Sequence, residues 1–265
     1  MPRLIIHLGV QKTGTTSFQA RLMQNAEVLA TRLAVFTPVR GTPTQKLGRA
    51  GMNFSLDPDA GRERLLVEAI TRVREEILPL GRDCLISHEN LPGAVLGNGP
   101  TRRLYPQIGR IIEMLDAGFA PLVPEYVIYT REMAGWLQSV HAQVVISDRY
   151  LGTFDQFRFE MADCGTWAEL EERVRRQVGA VRLRVFRLED EPDAARPGQQ
   201  ILRFVGLNEA ELAALTGVER LNIRVPVAAV EFVRQLNGSA LERAALQDVV
   251  RVVLESLPLF AKDGA

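Results

Sequence analysis

His7-Leu-Gly-Val-Gln-Lys-Thr-Gly-Thr-Thr-Ser-Phe18 is the stretch on which the fold turns. A short apolar run, residues 4–8, leads into it. A stretch of helical period, residues 17–32, leads out of it. A Gly-rich turn between a strand and a helix aims backbone N–H groups at one point, and the helix dipole adds positive potential there. Hydroxyls from Thr15 and Thr16 can donate to the same point. This is the local chemistry of an anion site.

Gly9 and Gly14 have the spacing of the phosphate-loop pattern GxxxxGK[ST], and Thr16 holds the position of its final Ser/Thr. Thr15 stands where that pattern has lysine, and a lysine appears earlier, at position 12. In nucleoside triphosphatases the loop lysine serves the β- and γ-phosphates and the last Ser/Thr holds magnesium. Here the cation is moved while the anion cradle is kept. No apolar strand ends in the aspartate that would supply a second magnesium ligand.

Outward from the loop, strand-like runs at 4–8, 33–36, 84–87, 126–130 and 181–188 alternate with helical stretches at 17–32, 61–80, 102–117 and 132–146. Leu65, Leu66, Ala69, Ile70, Val73 and Ile77 share one helical face. Such alternation predicts an α/β fold, a mostly parallel sheet flanked by helices, and the likeness of residues 9–16 to the phosphate-loop pattern implies that it is P-loop NTPase-like. Three helices after Gly206, at 209–215, 227–236 and 241–254, make a helical C-terminal portion. Residues 37–59 and 147–166 read as long irregular loops that shape a pocket. No linker interrupts the chain, so residues 1–265 are expected to form a single domain.

Composition bounds the partners. Of 265 residues, 46% are hydrophobic, and 32 Lys+Arg balance 32 Asp+Glu. A net charge of zero gives no global pull toward nucleic acid or an anionic membrane. No apolar run approaches the ~20 residues of a membrane span, and no signal-peptide layout opens the chain. A cytoplasmic protein is the expectation. Cys84 and Cys164 form no CxxC pair and read as reduced thiols, and no metal site is expected.

A second motif carries the argument further. In Tyr126-Val-Ile-Tyr-Thr-Arg-Glu-Met-Ala-Gly-Trp-Leu-Gln-Ser-Val-His141, Arg131 ends a strand and Ser139 follows eight residues later on a helix. A guanidinium fork suits a phosphate and a serine hydroxyl can complete its cage. Trp136 of this helix reads as core-facing. The run Cys84-Leu-Ile-Ser-His-Glu-Asn-Leu-Pro92 ends a third strand whose carboxyl end belongs beside the loop. Strand alternation puts Ser87 and Glu89 on one face and His88 on the other. Either Glu89 or His88 could take a proton there, and Glu89 is favoured. His7 reads as a satisfied core histidine and His141 as structural.

With these residues in view, 7–16 resembles the 5′-phosphosulfate-binding loop of sulfotransferases, particularly the bacterial members. Arg131 with Ser139 resembles that family's 3′-phosphate motif. The resemblance implies 3′-phosphoadenosine 5′-phosphosulfate (PAPS) as co-substrate. Lys12 would contact the sulfate and bridging oxygen, Thr13, Gly14, Thr15 and Thr16 would cradle the 5′-phosphate, and Glu89 or His88 would be the base. The acceptor would be a small molecule, a carbohydrate or a lipid. Residues 181–190 and 200–207 resemble the late strand and helix of bacterial sulfotransferases, and Asn222 or Arg224 could return toward the nucleotide. The Gly-rich, lysine-bearing C-terminal loop of animal cytosolic sulfotransferases is missing, so adenine contacts do not carry over. A small-molecule kinase or NTPase is the alternative enzyme, and a non-catalytic nucleotide-binding scaffold is the third possibility. Oligomeric state has no signature in the sequence.

Overall fold

The computed structural model describes residues 2–218 and 225–260. Asn222 and Arg224 lie outside the described residues. Strand β1 (Leu4–Leu8) is followed by α1 (Thr15–Gln24), α2 (Ala26–Leu29), β2 (Ala34–Phe36), α3 (Pro43–Leu56), α4 (Ala60–Ile77) and β3 (Cys84–His88). Then come α5 (Ile108–Phe119), β4 (Pro124–Thr130), α6 (Met133–Asp148), α7 (Phe154–Glu160), α8 (Trp167–Val178), β5 (Leu183–Arg187) and α9 (Gln199–Val205). The chain closes with α10 (Glu209–Ala214), α11 (Val227–Asn237) and α12 (Arg243–Glu255).

The five strands form one parallel sheet in the order β2-β3-β1-β4-β5. All residues of β1 and β3 are buried, which is why both read as continuous apolar runs rather than alternating ones. Leu4, Ile6, Leu8 and Ile86 face a core built with α3 to α8, while Ile5, Leu85 and Val127 face α1, α9 and α10. A third cluster joins Val145 of α6 to α11 and α12. In register, His7 lies opposite Ser87 and Leu8 opposite His88. The carboxyl ends of β1 and β3 therefore open side by side.

Two expected loops contain helix. Within 37–59 the chain forms α3, because Thr42 caps it by accepting from the Gln45 N–H (3.3 Å) and Pro43 pre-sets the first turn. Gly48 and Gly51 weaken its helical propensity, yet both are needed. A Cβ at Gly48 would lie 2.0 Å from the His88 ring, and one at Gly51 would lie 2.9 Å from the Leu91 carbonyl oxygen. Within 147–166 the capping box of Thr153 and Gln156 starts α7.

The helical stretch 17–32 is split at Asn25, whose side chain donates to the Arg21 carbonyl (2.8 Å) and accepts from the Thr216 N–H (2.8 Å). Of the α4 face, Leu66, Ile70, Val73 and Ile77 are buried, each contributing about 1.5–3 kcal/mol. Leu65 is 59% exposed, since the buried stripe is centred on Leu66 and its i+4 and i+7 partners. Both cysteines are free and buried. Among the described residues no helix is long and apolar enough to cross a membrane, and no group of three His, Cys, Asp or Glu side chains could hold a metal ion.

Candidate functional site

Residues 9–14 join β1 to α1. Gly9 donates to the His88 carbonyl (3.1 Å), binding the loop to the end of β3. A Cβ at Gly9 would lie 2.7 Å from Thr15 Cγ2 and 3.0 Å from Glu89 Cα, so glycine is what lets the Glu89 backbone approach. Two left-handed residues turn the chain, Lys12 (φ 67°) and Gly14 (φ 84°). Glycine adopts this freely, whereas lysine carries a strain of about 1–2 kcal/mol. The first ladder bond of α1 runs from the Phe18 N–H to the Gly14 carbonyl (3.0 Å). The N–H groups of Thr15, Thr16 and Ser17 thus precede the ladder and have no helical acceptor. Thr13 and Thr15 hydroxyls donate to the Val10 carbonyl (2.6 and 3.4 Å), and both side chains are buried. Their hydroxyls shape the loop, which leaves anion binding to backbone N–H groups and to Thr16, which is exposed.

Three charged groups converge here. The Thr16 hydroxyl donates to Glu89 Oε2 (3.3 Å). Arg131 Nη1 donates to the Lys12 carbonyl (3.3 Å), across 119 residues of sequence. Burial lowers the Lys12 ammonium from its ordinary value, Glu89 opposes that shift, and Arg131 adds to it. Burial raises the Glu89 carboxyl, and the Thr16 hydroxyl and Lys12 pull it back. A raised carboxyl beside a depressed ammonium is the pattern expected where proton transfer and charge stabilisation share a site. Arg131 is held in turn by Trp167, whose Nε1 donates to the Arg131 carbonyl (2.7 Å). Ser139 lies half-buried on α6, six residues past Met133 and about 9 Å further along the axis.

The histidines separate. His88 is 3% exposed on the α3 side of the sheet, packed against Gly48, and its Nδ1 accepts from the Asn90 N–H (3.1 Å). Burial pulls its pKa down to about 4. His7 is only half satisfied. Its Nδ1 meets Ser87 Oγ at 2.9 Å, but the buried Nε2 has no partner, and burial pulls its pKa down to about 3. His7 lines a small cavity beneath the loop together with Thr13, Gly14, Thr15, Phe18 and Tyr129. His141 bonds the Gly152 carbonyl (3.0 Å) amid Tyr150, Phe154 and Phe157, far along α6 from Arg131.

Sequence reasoning passed over Gln11 and Tyr105. Both are buried, and the Tyr105 hydroxyl meets Gln11 at its N–H (3.2 Å) and at Oε1. A polar residue between Val10 and Lys12 was the available signal, but its partners are 79 to 125 residues away.

No family model matches the chain, and no curated protein matches it in sequence. Among solved structures, it is similar to a sulfotransferase from Alicyclobacillus acidocaldarius, at 14% identity and a TM-score of 0.44, covering 99% of this chain and 97% of that one. It is also similar to the sulfotransferase domain from the curacin biosynthetic pathway, at 14% identity and a TM-score of 0.41, covering 97% and 98%. A thymidylate kinase from Candida albicans is similar at 13% identity and a TM-score of 0.36, covering 71% and 84%. At such identities the chemistry has to be argued from this chain's own residues.

Proposed function

We propose that this chain is a PAPS-dependent sulfotransferase. The observation that carries the reading is the meeting of Lys12, Arg131 and Glu89 at the one loop that follows β1. Unladdered N–H groups at the start of α1, with the Thr16 hydroxyl, suit the 5′-phosphate. Arg131, at the end of β4, suits a 3′-phosphate, and Ser139 would complete that cage from α6. Such a constellation favours a nucleotide with phosphates at both ends of the ribose. It needs no second carboxylate for magnesium.

In the proposed reaction the acceptor hydroxyl oxygen bonds to sulfur while the bond from sulfur to the bridging phosphate oxygen breaks. The electron pair stays on the phosphate, where Lys12 balances it. The acceptor proton passes to the Glu89 carboxylate. The products are a sulfate ester and adenosine 3′,5′-bisphosphate. Glu89 is preferred to His88 as base because Glu89 touches the loop, whereas His88 is sealed under Gly48. The proposal places the protein in the cytoplasm, acting on a small-molecule, carbohydrate or lipid acceptor.

Calorimetric titration tests this reading. Adenosine 3′,5′-bisphosphate is expected to bind at micromolar concentration without magnesium, and Arg131→Ala is expected to abolish that binding. Preference for ATP with magnesium over the bisphosphate would overturn it in favour of a kinase or NTPase.

A further inference from the structure

Every hydrogen-bonding group of Gln11 is engaged. Its N–H donates to the Tyr105 hydroxyl (3.2 Å) and its Oε1 accepts from that same hydroxyl. Its Nε2 donates to Asn90 Oδ1 (3.3 Å) and to the Gly93 carbonyl (2.9 Å). Its carbonyl accepts from Trp136 Nε1 (2.8 Å). The residue is 6% exposed, so these bonds are made away from water, where losing a partner is most costly. One donor at Oε1 and two acceptors at Nε2 also leave a single sensible orientation for the amide.

The partners are not scattered. Asn90 follows Glu89 directly, and Trp136 lies five residues after Arg131. Gln11 itself precedes Lys12, whose backbone is left-handed. Tyr105 is anchored from behind, since Arg173 of α8 donates to its carbonyl (3.1 Å). One residue therefore touches the segments that carry all three charged groups of the site, its side chain reaching the Glu89 segment at Asn90 and its backbone carbonyl the Arg131 segment at Trp136. We infer that Gln11 is the positioning residue of this site, holding Lys12 in its left-handed conformation and in register with Glu89 and Arg131. Only three of the 32 cationic residues are lysines, so the ammonium at position 12 can be watched directly.

The role assigned to Gln11 rests on the sulfotransfer reading for its ligand-binding arm and on geometry alone for the other. In the full-length protein, the lysines are labelled by reductive methylation with carbon-13 and followed by NMR, with Lys12→Arg giving the assignment. Gln11→Met keeps length and apolar bulk but removes the three side-chain bonds. Its Lys12 signal is expected to titrate closer to an ordinary lysine than in the wild type, as the ammonium gains water. Affinity for adenosine 3′,5′-bisphosphate is expected to fall about tenfold or more, because small misplacements at such sites are costly. Tyr105→Phe is expected to act in the same direction and to combine with Gln11→Met less than additively. It also keeps the test alive if Gln11→Met fails to fold. A folded variant whose Lys12 titration and bisphosphate affinity match the wild type would overturn the assignment, whatever its thermal stability. If the wild type itself binds no bisphosphate, the sulfotransfer reading falls, and the Lys12 titration still decides the role of Gln11.

Discussion

Replacing His88 by glutamine should remove a defined part of the protein's acid sensitivity. His88 is 3% exposed, and burial pulls its pKa from 6.5 to about 4. A histidine depressed in the folded state protonates first in the unfolded chain. Its contribution is therefore complete above about pH 6.5 and is lost as pH falls toward about 4. Moving from about pH 8 to about pH 5 costs about 2 kcal/mol through this residue. His7, pulled down to about 3, costs about the same over that interval. His141, also lowered by burial, adds in the same direction. Glu89, raised by burial, acts oppositely, because the folded state holds its proton more firmly. All three of these contributions cancel when variant and wild type are compared. Glutamine can still accept from the Asn90 N–H, so that turn is kept while the titrating ring is removed. The assay is urea unfolding at both pH values. The wild type is expected to lose about 2 kcal/mol more than His88→Gln between them. Equal losses would refute the reasoning and mean that His88 reaches solvent or a charge partner in the folded protein.

The site and its supports give three further expected outcomes. Glu89→Gln is expected to lower turnover of radiolabelled PAPS with an accepted hydroxyl compound by about 10²–10⁴-fold while bisphosphate binding persists. In the wild type, kcat/KM should rise with pH through a value above the ordinary carboxylate's 4.5, since the base must be ionised and burial raises its pKa. Gly48→Ala would put a methyl 2.0 Å from the buried His88 ring. Its thermal midpoint is expected to drop by the equivalent of about 1–3 kcal/mol, despite the roughly 1 kcal/mol that alanine gains over glycine in an exposed helix interior.

Much of the framework was legible in the chain. The central strands β1, β3 and β4 were visible as apolar runs because a parallel sheet covered on both faces buries nearly every residue there, and all five observed strands fall within one or two residues of the expected runs. The loop at 9–14 was visible because glycine marks the turns where backbone must bend or approach closely. The errors were also local. Thr42-Pro43 and Thr153 are start signals for α3 and α7, outweighed in the reading by the glycines and polar residues around them. Two of those glycines are there because His88 and Leu91 press on the helix, and no window of sequence contains both sides of that contact.

From the residues alone came the strand–loop–helix unit, the displaced lysine, the arginine at the end of β4 and a choice between two candidate bases. These depend on nearest neighbours along the chain, where steric and periodic preferences act directly. Tertiary structure decided the rest. The sheet order β3-β1-β4 brings Glu89 and Arg131 to opposite sides of one loop. Packing of α3 against His88 leaves Glu89 beside Thr16, and Gln11 finds its partners 79 to 125 residues away. Such contacts form only when separate elements stack around a common core, so their partners are set by the topology of the sheet and not by spacing along the chain.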